Sequence, residues 1–227
     1  MKPEIIHSSD FLNDAVALIT REAQAAIAAR GRFRIALSGG NTPRPVYQAL
    51  ARGDHDWKNW IVTFGDERCV PPDSDQSNYR MAKESLFDHV SIPAGNILRI
   101  KGEADPAEAA AEYEKELRAQ TRADETLYRH DLLLLGMGDD GHTASLFPGT
   151  EALKVTDRWV VSNFVPKFNT HRVTLTYPLL DASRHVCFLV NSKGKDGILE
   201  EVFSGKSSYP SAAVSPADGK LTWLLGA

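Results

Sequence analysis

Cysteine is nearly absent: Cys69 and Cys187 are the only two in 227 residues, far apart and in no CxxC or metal-ligand spacing. This excludes a disulfide framework and a thiolate zinc centre, and Cys187, inside an apolar run, is expected in the core. No run of basic residues occurs, and the formal charge of −4 with a pI of about 6.0 argues against a nucleic-acid partner. An anionic ligand would need positive charge gathered locally. No apolar stretch approaches the length of a bilayer span, and Met1-Lys2-Pro3-Glu4-Ile5-Ile6 lacks the apolar core of a secretion signal. A soluble, cytoplasmic protein without a membrane partner is expected. Repeats, low-complexity segments and linkers are also missing, so one domain is expected over 1–227.

What is present is an alternation of short apolar runs and amphipathic stretches. Hydrophobic residues make up 42% and charged residues 25%, a globular balance, and the length suffices to bury a core without metals or cross-links. Leu12, Ala15, Val16, Ile19, Ala23, Ala26 and Ile27 recur at helical spacing after Ser8-Ser9, with Gly31 as a stop. Strand-like runs stand at 33–37, 60–64, 97–100, 132–135, 159–161, 171–176, 186–190 and 221–225. Further helices are expected at 43–52, 78–87 and 106–122, and after Lys195 through Phe203. The 132–135 run is apolar at every position, as in a parallel strand covered on both faces. The expected fold is α/β, a single doubly wound, mostly parallel sheet with helices on both faces.

Polar chemistry collects where these runs end, which is where open α/β sheets bind ligands. After 132–135 come Gly136-Met137-Gly138-Asp139-Asp140-Gly141-His142, then the small-residue, helix-competent Thr143-Ala144-Ser145-Leu146-Phe147-Pro148. An ordinary turn would also use Gly136, Gly138 and Gly141, with Asp140 capping a helix, and this stretch alone does not choose between turn and active site. After 33–37 come Ser38-Gly39-Gly40-Asn41-Thr42-Pro43. Glycine backbone, a helix start and two hydroxyls make an anion-binding arrangement, although neither GxGxxG nor a P-loop lysine is present. After 60–64 come Gly65-Asp66-Glu67-Arg68, where Asp66 suits a sugar hydroxyl or a base role and Arg68 a bidentate phosphate contact. A surface ion pair is the plainer alternative for these charges. Lys195 falls at another strand-to-helix junction, and Arg172 opens a strand as either an edge charge or a ligand contact. The polar loop 71–78 has the length of a mobile flap. Asp139, Asp140 and His142 stand too close on one turn to converge on one ion, so no metal is expected.

In this order and spacing the four segments resemble the 6-phosphogluconolactonase family over nearly the whole chain. The run Asp-Gly-His-Thr-Ala-Ser-Leu-Phe-Pro at 140–148 is highly specific, whereas Ser-Gly-Gly alone would be weak. The resemblance implies a Rossmann-like sheet of the sugar-phosphate isomerase/deaminase type. It also implies hydrolysis of 6-phospho-D-glucono-1,5-lactone to 6-phospho-D-gluconate in the oxidative pentose phosphate pathway. The sister glucosamine-6-phosphate deaminases carry a glutamate five residues after the histidine, where this chain has Phe147, and a tyrosine where it has Arg68. Two positions depart from the usual lactonase pattern: Ser192 replaces a glycine, and Gly226 stands where an acidic residue often follows Trp-Leu-Leu.

On this resemblance His142, an imidazole with a reference pKa of about 6.5, is the general base on water, and Asp140 orients it. Ser38, Gly39, Gly40, Asn41, Thr42, Arg68, Lys195 and Arg172 would hold the phosphate, with Asp66 on sugar hydroxyls or the water. An activated lactone needs a water, a base and a place for oxyanion charge, so neither a metal nor an organic cofactor is expected. The implied partner is a small phosphorylated sugar lactone, and the implied assembly a monomer or small homo-oligomer.

Overall fold

The computed structural model describes residues 2–226; Met1 and Ala227, the two ends of the expected domain, lie outside the described residues. In chain order the strands are β1 (Glu4–Ser8), β2 (Phe33–Leu37), β3 (Trp60–Phe64), β4 (Asp66–Arg68), β5 (Leu132–Leu135), β6 (Val160–Val165), β7 (Thr170–Leu175), β8 (His185–Asn191) and β9 (Lys220–Gly226). The helices are α1 (Phe11–Arg30), α2 (Pro43–Leu50), α3 (Asn78–Ser85), α4 (Pro106–Ala119), α5 (Tyr177–Asp181), α6 (Asp196–Phe203) and α7 (Pro210–Ala213).

Six strands form one parallel sheet in the order β1-β9-β8-β5-β2-β3. Every residue of β2, β3 and β5 is buried, so both faces are covered. A strand with apolar side chains on both faces keeps them from water only when both faces are covered, and β5 accordingly lies inside the sheet. Helix α1 packs on β2 and β9 and ends as its glycine predicts: Gly31 takes φ 75 and donates to the Ile27 carbonyl. Ser8 works at the other end from outside the cap, accepting from Asp10 N–H at 3.1 Å and donating to Asp14.

Beyond the unexpected edge strand β1 and the short helices α5 and α7, three findings depart from the sequence reading. A second, antiparallel sheet, β4-β7-β6, springs from the end of β3, with Gly65 linking Leu37 and Leu175 across the junction. Its short, polar strand β4 carries no apolar alternation, so nothing local marks it. Residues 97–100 form no strand; they meet β3 only through a bridge from Ile97 to Val62. The stretch after His142 forms no helix. Ala144 takes φ 46 and a tight Thr143–Leu146 bridge turns the chain, conformations that a helix cannot contain. Among the described residues no helix is long and apolar enough to cross a membrane.

Candidate active site

The ends of β2, β3, β5 and β8 frame a cavity of about 220 Å³. Ser38, Gly39, Gly40, Asn41, Thr42, Asp66, Arg68, His142 and Lys195 all line it, although they come from four separate stretches of chain. Asp140 supports His142, and Arg172 does not reach the lining.

The first wall is the turn after β2. Tyr47, buried on α2, accepts from the Ser38 N–H at 3.1 Å and donates to the Ser38 carbonyl at 2.9 Å. Ser38 therefore contributes no free backbone donor, which the sequence reading had not foreseen. Its Oγ, by contrast, is buried without a partner. The N–H groups of Gly39, Gly40, Asn41 and Thr42 have no hydrogen-bond partner among the described residues. Gly39 is required by a close approach, since a Cβ would stand 1.8 Å from the Asn78 side chain, and Gly40 by φ 100.

Asn78 belongs to the second wall. Its amide donates to the Asp66 carbonyl oxygen at 3.0 Å and to Asp66 Oδ1 at 3.1 Å, while Ser145 Oγ donates to Asp66 Oδ2 at 2.6 Å. Asp66 is thus a held acceptor. Neighbouring Glu67 points away from the cavity and collects Arg68, Asn78 and Tyr79 N–H groups and the Ser77 hydroxyl. Burial raises its pKa against these donors. Those bonds pin loop 71–78, as do Arg68 Nη1 on the Gln76 carbonyl and Arg80 Nη1 on that of Asp73. Arg172 pairs with Arg68 across β4 and β7, behind the lining, its guanidinium 5.5 Å above Phe168. Burial first, and then Arg68, lower its pKa.

The third wall holds the imidazole. His142 Nδ1 lies 2.5 Å from Asp140 Oδ1, and Lys167 Nζ donates to Asp140 Oδ2 at 2.8 Å. Burial alone would raise the Asp140 pKa, but the bonds from Lys167 and His142 outweigh it and hold the carboxyl well below the usual range. A carboxylate only accepts, so Nδ1 carries the ring proton and Nε2 keeps its lone pair in the neutral form. The ring stacks on Phe147 at 4.0 Å between centroids. Gly138 makes room for it, since a Cβ there would stand 2.1 Å from His142 Cε1. Lys195 reaches in from the start of α6, donating to the Met137 carbonyl at 2.5 Å and lying 3.3 Å from the exposed Asp139. Among the described residues no three His, Cys, Asp or Glu side chains converge as a metal cluster.

Known proteins with similar sequence and fold identify the family. A family model described as glucosamine-6-phosphate isomerases/6-phosphogluconolactonase matches residues 7–223. The chain belongs to this family. It is 42% identical to a Synechocystis 6-phosphogluconolactonase, with 99% of this chain and 96% of the relative covered, and 43% identical to one from Nostoc, with 96% and 95% covered. The crystal structure of 6-phosphogluconolactonase from Thermotoga maritima superposes with a TM-score of 0.90 over 100% of both chains at 32% identity. Within the family pattern, the two departures at the C-terminal side touch each other: Ser192 N–H and Oγ both donate to the Gly226 carbonyl, at 2.7 and 2.6 Å. The Phe11 ring occupies the space a Gly226 side chain would need, 2.8 Å from an added Cβ.

Sequence reasoning missed Tyr47, Asn78, Ser145 and Lys167. Each acts through a partner in another element, 9 to 79 residues away, so no local pattern announces it. Phe147 was noted as a family difference, but not as the surface that His142 stacks on.

Proposed function

We propose that the chain hydrolyses 6-phospho-D-glucono-1,5-lactone to 6-phospho-D-gluconate, as one domain, with His142 as general base on water. One observation carries this: an imidazole with one nitrogen tied to Asp140 lines the same cavity as a glycine turn with unpartnered N–H groups and two cationic side chains. The relatives bear the name of that activity.

His142 Nε2 takes a proton as the water oxygen attacks the lactone carbonyl carbon. The tetrahedral intermediate then collapses, the bond from that carbon to the ring oxygen breaks, and the imidazolium returns its proton to the departing oxygen. Asp140 stabilises the imidazolium, and Lys167 keeps Asp140 ionised. At the other end of the substrate, the phosphate lies on the N–H groups of Gly39, Gly40, Asn41 and Thr42, with the Ser38 hydroxyl, Arg68 and Lys195. Arg172 reinforces Arg68 from behind. Asp66, held by Asn78 and Ser145, has lone pairs left for a sugar hydroxyl or the water.

The test is hydrolysis of freshly generated lactone by wild type and His142→Ala, corrected for spontaneous opening at the same pH. Wild type should accelerate opening, and the variant should lose about 10²–10⁴-fold while its circular dichroism is unchanged. A wild type no faster than buffer would overturn the substrate, and an undiminished variant would overturn the role of His142. Ammonia release from glucosamine 6-phosphate, run in parallel, would move the chain to the sister activity.

A further inference from the structure

At the opposite end of the parallel sheet, where β2, β5 and β8 begin, a second cavity of about 230 Å³ is lined by Arg30, Arg32, Arg34, Arg122, Glu125 and Asp131. Its carboxylates are already in use. Asp131 receives Arg30 at 2.8 Å, Arg184 at 3.5 Å and the Arg34 N–H at 2.8 Å, while Glu125 receives Arg34 at 2.7 Å and Arg184 at 3.0 Å. Two carboxylates thus serve three guanidinium groups. Arg122 has only the exposed Asp124, at 3.8 Å, and Arg32 has no acidic partner among the described residues.

Five guanidinium groups therefore gather around three carboxylates in a chain whose formal charge is −4. Like charges within a Debye length repel, and counter-charge from solution relieves that repulsion. The cluster is also built: Arg34, nine-tenths buried, is fixed by the Gln120 carbonyl and lies 4.6 Å over the Tyr128 ring. Strands of five residues at about 3.3 Å each put this cavity roughly 15 Å from the His142 end.

We infer that this cavity is a second anion site, taking a small phosphate-bearing anion on the guanidinium forks of Arg32 and Arg122, beside Arg30, whose Nε and Nη2 are held by Asp131. Guanidinium matches phosphate oxygens two at a time, which explains arginine rather than lysine at every cationic position of the lining.

Calorimetric titration of inorganic pyrophosphate tests it with three variants. Arg68→Ala/Lys195→Ala removes cations from the His142 cavity and should retain one binding event. Arg32→Ala/Arg122→Ala changes two solvent-accessible side chains and should weaken that event at least tenfold. Arg21→Ala/Arg52→Ala removes the same charge elsewhere and should titrate like wild type. Loss of all binding in the first variant, unchanged binding in the second, or equal weakening in the third would each overturn the inference; circular dichroism of all three checks folding.

Discussion

His142 and His130 show how environment gives one residue type two roles. His142 donates from Nδ1 to an ionised carboxylate and keeps Nε2 at a cavity. Asp140→Asn removes the charge but keeps the shape; with a charge-assisted bond worth about 1.5–3 kcal/mol, kcat/KM should fall roughly 10- to 150-fold in steady-state lactone assays. His130 is fully buried: its Nε2 donates to Thr63 Oγ1, which itself donates to the Ile35 carbonyl. Burial, and then Arg34, lower its pKa to about 3. Unfolded histidine binds a proton near pH 6.5, so below that pH the unfolded chain holds more protons and stability falls as pH falls. The His130 contribution should decline by about 1.4 kcal/mol per unit between pH 6.5 and about 3. Urea unfolding of wild type and His130→Gln at pH 7 and pH 5 should therefore give a stability difference smaller by about 2 kcal/mol at pH 5. A difference independent of pH would contradict this account. Cys69, beside Arg68, is held as a thiol because burial raises its pKa to about 11, so slow alkylation at neutral pH is expected.

Among elements, the turns after β2 and β5 work because glycine leaves space that another residue uses. Gly138→Ala would put a methyl 2.1 Å from the His142 ring and must displace it. Loss of at least tenfold in kcat/KM with unchanged circular dichroism is expected, and retention of full activity would refute the spatial argument. The loop 71–78 depends instead on Glu67, whose carboxylate gathers four donors from Arg68 to Tyr79. Glu67→Gln turns one acceptor oxygen into a donor facing N–H groups. Amide exchange in 69–79 should accelerate at least tenfold there, with little change in β5. Uniform acceleration along the chain would indicate general destabilisation rather than a local clamp.

Across the whole molecule, the parallel sheet ends at β1, a strand with mostly exposed side chains that covers β9 by pairing Glu4–Ser8 with Thr222–Gly226. Removing residues 1–8 should uncover the β9 edge and promote association, visible as larger species in sedimentation velocity. A truncated chain that sediments like the intact one would argue that α1 suffices to guard the edge. The core strands, the helix spacing of α1 and the glycine turns were legible in the sequence because periodicity and backbone freedom are local properties. The nine cavity-lining residues named from sequence were legible for a related reason: parallel strands deliver their C-terminal ends to one rim, so position along each strand suffices. The second sheet, the absent strand at 97–100, the place of Arg172 behind the cavity and the clamps from Tyr47, Asn78, Ser145 and Lys167 were not legible. The clamps join residues 9 to 79 positions apart, and a side chain's role there is set by which non-neighbouring donor or acceptor the packed chain brings within hydrogen-bond distance.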